Sequence, residues 1–299
     1  MTQPSARRLA RPWSVWVLAA RPPTLPAAII PVVVGTAAVH GMPRPWSFLA
    51  ALGASVLIQV GTNYANDLFD FRKGADTAGR LGPPRVTQSG LVSTRQIATA
   101  TGVAFGLAAV LGLYLVAVSG WIIVAIGALS ILCGLAYTGG PWPLGYHGLG
   151  ELFVFIFFGL VAVIGSAYIQ TGDVSSLAVA AAVPVALLVT AILIVNNLRD
   201  IDTDRAVGKR TLAVRLGRRL TRLEYAAFLI VAYAVPVALR LAGLIGGWFW
   251  LPVFSLPLAI GLIRLVTTTS NPAELNRALK LTGLLHLLFG SLFALSLVL

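Results

Sequence analysis

"LGASVLIQVGTNYANDLFDFRKGADT", Leu52–Thr77, decides how this chain is read. It starts as an apolar run and ends in three carboxylates, Asp67, Asp70 and Asp76. The 299-residue chain has only ten Asp and Glu in all, so three within ten residues need a cause. The apolar half sets the frame. A bilayer core of ~30 Å takes about 20 apolar helical residues, and the segment 46–70 supplies them. Eight more such segments lie at 24–40, 96–118, 120–138, 150–170, 174–200, 222–243, 247–266 and 278–298. Hydrophobic residues make up 58% of the chain and charged residues 11%, against ~25% charged in a soluble domain. The expectation is an all-α polytopic membrane protein of nine transmembrane helices, with residues 1–299 as a single domain. Pro26 and Pro31 predict a kink in the first span.

The net charge of +12 would suggest nucleic acid on a soluble protein. Here it marks a side of the membrane, and no nucleic-acid partner is expected. With the N-terminus placed inside, inside segments carry 20 Lys and Arg and outside segments only Arg44 and Arg240. That asymmetry predicts a cytoplasmic N-terminus, an outer C-terminus and a location in the cell membrane. "MTQPSARRLARPWSVWVLAARPP" (Met1–Pro23) has no apolar core followed by a small-residue cleavage site. It reads as a retained basic interfacial segment and not a signal peptide. The lone Cys133 makes no intrachain disulfide.

A second acidic stretch, "NNLRDIDTDRAVGKRTLAVRLG" (Asn196–Gly217), closes the sixth span on the same side as the first. The two clusters hold six of the ten acids. Helical spacing puts Gln59, Asn63, Asn66, Asp67 and Asp70 on one stripe, and Asn196, Asn197, Asp200 and Asp204 on another. Asp202 is two residues from each neighbour and points elsewhere. Carboxylates at a helix C-terminus oppose the dipole, and four that converge repel one another. Polar groups at membrane depth are functional candidates by default. Oxygen-only donors suit a hard cation. Mg²⁺ uses one or two carboxylates and leaves places for phosphate oxygens. The EF-hand pattern that would favour Ca²⁺ is absent. Bases stand beside the acids: Arg72, Lys73, Arg205, Lys209 and Arg210. Two Mg²⁺ would balance four carboxylates, and a diphosphate would then take the metals and the bases together.

"NDLFD" and "DIDTD" on two membrane helices resemble the membrane-embedded aromatic prenyltransferase superfamily, over essentially the whole chain. Three further stretches, "GPPRVTQSGLVS" (Gly82–Ser93), "YTGGPWPLGYHGLGE" (Tyr137–Glu151) and Asn196–Gly217, look like its 1,4-dihydroxy-2-naphthoate branch. The "RT-x-x-RP" stretch usual in the 4-hydroxybenzoate and haem O branches is replaced by "AGRLGPPRVTQSG".

The resemblance implies Mg²⁺-dependent transfer of a polyprenyl group from polyprenyl diphosphate to 1,4-dihydroxy-2-naphthoate. Carbon dioxide and diphosphate leave and demethylmenaquinone forms. Asp67, Asp70, Asp200 and Asp204 are then metal ligands, with Asp76 an outer participant. Arg72, Lys73, Lys209 and Arg210 are diphosphate candidates. Gln59, Asn63, Asn66, Tyr137, Glu151, Asn196 and Asn197 would position donor or acceptor. Tyr64, Phe69, Phe71 and Tyr137 offer aromatic faces to an allyl cation. The Gly- and Pro-rich loop after Tyr137, with Trp142, Tyr146 and His147, reads as a lid or a rigid turn. Asp67/Asp70 and Asp200/Asp204 match at offsets of 133 and 134, which suggests two weakly similar parallel halves. Another aromatic acceptor, 4-hydroxybenzoate or homogentisate, is the alternative. An anion transporter is a second class of function, but it would place its charges at mid-span.

Overall fold

The computed structural model describes residues 12–39, 41, 43–75, 81–82 and 84–299. Asp76 and His40 lie outside the described residues. Every regular element among the described residues is helical: α1 (Pro12–Ala20), α2 (Pro26–Ala37), α3 (Pro45–Arg72), α4 (Thr94–Ser119), α5 (Ile122–Ala136), α6 (Gly150–Val154), α7 (Ala162–Thr171), α8 (Ser176–Ala206), α9 (Leu212–Leu241), α10 (Leu256–Thr268) and α11 (Pro272–Val298). A π-helical stretch, Phe155–Val161, joins α6 to α7. A 3₁₀ turn, Leu251–Ser255, leads into α10.

Helix starts follow local chemistry. Ser93 and Gln96 form a reciprocal capping box on α4. Ser175, Thr211 and Asn271 cap α8, α9 and α11 through their side chains. Pro45 and Pro272 sit in the first turns of α3 and α11, where a missing N–H costs nothing. α9 breaks at Gly217, whose φ of 75° is the left-handed region glycine tolerates.

Among the described residues, seven helices are long and apolar enough to cross a membrane. They begin at Pro45, Thr94, Gly150, Ser176, Leu212, Leu251 and Pro272. The expected first span is instead a broken pair, Trp13–Thr24 and Pro26–Ala37, bent by 53°. Arg21, with φ 53°, and the prolines that follow it make the break. The expected fourth span shortens to 15 residues, Ile122–Ala136. α8 runs to Ala206, six residues past the apolar run, and α9 starts at Leu212. The basic stretch expected as a loop is therefore mostly helix, and Asp200, Asp202 and Asp204 all lie on α8.

α8 is the central helix. Its Leu188, Ile194, Leu198 and Ile201 are fully enclosed, in one core with Tyr225 and Leu229 of α9, Leu285, Phe289 and Phe293 of α11, and Ile30 and Val34 of α2. Gly159 of the π stretch lets that segment touch α8, since a Cβ there would lie 2.1 Å from that of Ala186. α3 packs on α4, α2 and α5. Large apolar side chains such as Val110, Leu113, Ile230 and Phe254 point outward. An apolar coat of that kind belongs in hydrocarbon, and the chain is a multi-pass membrane protein.

Candidate active site

α3 and α8 bring their polar ends to one cavity of about 880 Å³. Of the expected residues, Gln59, Asn63, Asn66, Asp70, Tyr137, Asn196, Asn197, Asp200, Asp204 and Lys209 line it. The far walls are apolar and include Val32, Ile123, Ile126, Phe157 and Phe158. The space therefore joins a charged head to a hydrophobic channel.

Asp70 is the hub. Its Oδ2 accepts from Arg85 Nη2 at 2.7 Å. Its Oδ1 accepts from Tyr146 Oη at 2.7 Å and from Lys209 Nζ at 3.3 Å. Three chain segments thus meet on one buried carboxylate. The Lys209 ammonium also lies 4.4 Å from the centre of the Tyr146 ring. Lys73 stands 5.2 Å from the same ring and donates to the Gly140 carbonyl. Burial lowers the Lys73 pKa, Asp70 raises it and Lys209 lowers it again.

Asp67 does not line the cavity. Its oxygens accept from the backbone N–H groups of Val86 (3.2 Å) and Thr87 (3.0 Å), so it ties the 84–93 loop to α3. Arg199, itself buried, grips Asp200 from the preceding position through Nε at 2.7 Å and through Nη2. It also donates to Asn196 Oδ1 and Asn276 Oδ1. Asn276 passes the connection on to the Leu81 carbonyl. The Asp204 carboxylate makes no hydrogen bond among the described residues, yet it faces the cavity. Asp202 pairs with Arg218 at 2.7 Å on the outside, its side chain 71% exposed.

Asn66, Gln59 and Asn63 make local hydrogen bonds, although the buried Gln59 Oε1 has no partner among the described residues. Asn66 accepts from Thr138. Gln59 and Asn63 donate to Thr24, and Asn63 also to the Ala20 carbonyl, which holds the turn before α2 against α3. Of the four aromatic candidates only Tyr137 reaches the cavity. Burial, with the charges of Glu151, Asp70 and Asp204, holds its phenol well above its ordinary pKa, so it stays a donor. Tyr64 instead packs edge-on against Trp16. Arg72, Lys73 and Arg210 do not line the cavity. The backbone N–H of Arg210 donates to Tyr146, joining the two loops over the site.

Sequence reasoning assigned no role to Arg85, Arg199, Asn276 or Lys280, all of which line the cavity, and placed Tyr146, which also lines it, only in the covering loop. Arg199 had a usable signal: it lies next to Asp200 on a helix otherwise apolar for most of its length. Asn276 had none, being brought in from α11 by the fold.

The donor set fits Mg²⁺. The polar end offers carboxylate and amide oxygens, the ligands of a hard cation. Among the described residues no three of His, Cys, Asp and Glu stand close enough to cage an ion by themselves. A bound cation must then complete its shell with water and ligand oxygens, as Mg²⁺ characteristically does.

Fold and site together define a polytopic membrane enzyme for amphiphiles that carry an anionic head. The chain belongs to the UbiA prenyltransferase family, whose profile matches residues 28–291. It is 41% identical over 276 residues to the 1,4-dihydroxy-2-naphthoate octaprenyltransferase of Mycobacterium tuberculosis, covering 92% of this chain and 93% of that one. It is 36% identical to the Escherichia coli protein of the same name, covering 95% of each. Its fold matches that of a solved UbiA homolog from Archaeoglobus fulgidus bound to GPP and Mg²⁺, with a TM-score of 0.66 at 14% identity, over 95% of this chain and 99% of that one.

Proposed function

We propose that this protein transfers a polyprenyl group from polyprenyl diphosphate to 1,4-dihydroxy-2-naphthoate. Carbon dioxide and diphosphate are released, and demethylmenaquinone forms at its hydroquinone level. The observation that carries the reading is the single cavity in which Asp70, Asp200, Asp204 and Lys209 stand at the head of an apolar channel. The names of the relatives supply the acceptor.

Asp70, Asp200 and Asp204 would hold two Mg²⁺ ions. Bound there, Mg²⁺ would neutralise the diphosphate and favour breaking of the C–O bond. Lys209 and Arg85 now neutralise Asp70, and can turn to diphosphate oxygens once the carboxylate has another counter-charge. The apolar walls take the polyprenyl tail and keep water from the allylic centre. Leaving the tail in hydrocarbon avoids a desolvation of ~0.8 kcal/mol per CH₂. Tyr137 offers a ring face to the allylic carbon and a protonated hydroxyl to an acceptor oxygen.

The ring carbon bearing the carboxylate attacks as the adjacent hydroxyl gives up its proton. A β-keto carboxylate results. It loses carbon dioxide, and the enolate oxygen takes a proton back. No net proton is released, so the site needs a group that handles a ring hydroxyl, not an outlet to solvent.

Nine spans follow if the bent pair counts as one and α5 crosses despite its length; local thinning of the bilayer accommodates such a helix. The charge asymmetry supports a polar end of the cavity at the cytoplasmic face of the cell membrane. The similar helix pairs α3–α4 and α8–α9 support two parallel halves within one domain.

The test is a membrane assay with labelled polyprenyl diphosphate, with and without Mg²⁺, against 1,4-dihydroxy-2-naphthoate, 4-hydroxybenzoate and homogentisate. A prenylated product from the naphthoate alone, lost with chelator, is expected. Product only from another acceptor overturns the assignment of the acceptor, and product from none overturns the transferase reading.

A further inference from the structure

Glu151 opens α6 and is 5% exposed, and Asn197, on α8, is equally buried. Asn197 Nδ2 donates to Glu151 Oε1 at 2.7 Å. That bond fixes the amide. In that bond the NH₂ of Asn197 faces Glu151, whose oxygen accepts, and its carbonyl faces the other way. The other way is the cavity, which Asn197 lines. Among the described residues nothing donates to Asn197 Oδ1. Its neighbour differs, since Asn196 Oδ1 is already taken by Arg199. Tyr137 completes the corner. A Cβ on Gly150 would stand 3.0 Å from its Oη, so glycine at that position lets the phenol lie against the start of α6.

Glu151 Oε2 is buried behind them without a partner among the described residues, and toward the cavity the corner presents an acceptor, Asn197 Oδ1, and a donor, Tyr137 Oη. It is built for a ligand that brings an O–H. Resting on the function above, we propose that Asn197 is the specificity-determining residue that accepts a hydrogen bond from a ring hydroxyl of the aromatic acceptor, and that Glu151 is the positioning residue that keeps its amide oxygen turned to the cavity. A site that binds an O–H in this way rejects the analogue lacking it, because a buried acceptor is left unpaired. Glu151 reaches the substrate only through Asn197, so its loss should alter discrimination more than chemistry.

The experiment uses the full chain with Mg²⁺ and labelled polyprenyl diphosphate, and compares the naphthoate with its 1- and 4-monomethyl ethers. Wild type should prefer the free hydroxyl at one ring position by at least ~10²-fold in kcat/KM. In Glu151→Gln the side-chain amide can both donate and accept, so Asn197 can turn either face to the cavity. The preference should fall at least ~10-fold, through acceptor KM, with donor KM unchanged within about twofold. Asn197→Leu should do the same, with its melting temperature measured alongside. Any chemical slowing of the ether is common to all variants and cancels in that comparison. If Glu151→Gln retains the wild-type preference, or if donor and acceptor KM rise together, the inference is overturned while the function stands. Wild type that makes no prenylated naphthoate overturns both.

Discussion

Asp70 shows what one carboxylate can organise when it sits where three segments meet. Arg85, Tyr146 and Lys209 come from three different stretches, and each would lose a shared negative charge if Asp70 were neutralised. Asp70→Asn should lower turnover at least ~10²-fold, whereas Asp202→Asn, which loosens only an exposed pair with Arg218, should stay within about threefold. Kinetics at saturating Mg²⁺ check both, and equal losses would refute the division of the acids into inward and outward faces. Helical spacing alone made that division legible, because Asp202 is out of phase with Asp200 and Asp204. The bases were less legible. Arg72, Lys73, Lys209 and Arg210 all stand close to the acids in the chain, yet among these only Lys209 lines the cavity. Charge at Lys209 should matter most as the leaving group gains charge. Lys209→Met should lower kcat by at least ~10²-fold with a smaller change in donor KM, and Lys209→Arg should restore only part, its planar fork replacing a compact ammonium.

Among elements, the 84–93 loop and the end of α3 act as a unit. Asp67 shares the acidic stripe with Asp70 but is spent on the Val86 and Thr87 amides. The stripe was readable from periodicity. The loop's return over it was not, because a pair of backbone N–H groups leaves no mark on a sequence. If the Asp67 carboxylate holds the loop, Asp67→Asn should speed hydrogen exchange at Val86 and Thr87 and leave amides within α8 unchanged. Unaltered exchange at both would return Asp67 to a role at the metal. The same limit explains the helix ends. Apolar runs stop at the bilayer edge, but α8 continues to Ala206 because its polar turns are held by Arg199 and by the start of α9.

For the whole molecule, composition made the membrane class plain, while the count of spans depended on features composition cannot weigh. The bend of 53° comes from the backbone at Arg21 and the prolines that follow it, and α5 is only 15 residues long. Sidedness can be tested without settling the count. The polar ends of α3 and α8 share one cavity, so residues just beyond them must lie on one side. The charge asymmetry predicts that this side is cytoplasmic and that the turn after α9 lies opposite. In a Cys133→Ala background, single cysteines at the exposed positions Ser89 and Ala206 should react with an impermeant maleimide only in inverted vesicles. One at Leu244, in the turn between α9 and α10, should react in intact cells. Reaction of Ser89 and Ala206 from opposite sides would dissolve the shared site. Reaction of both from outside would leave the shared site intact and reverse the orientation that the charge asymmetry predicts.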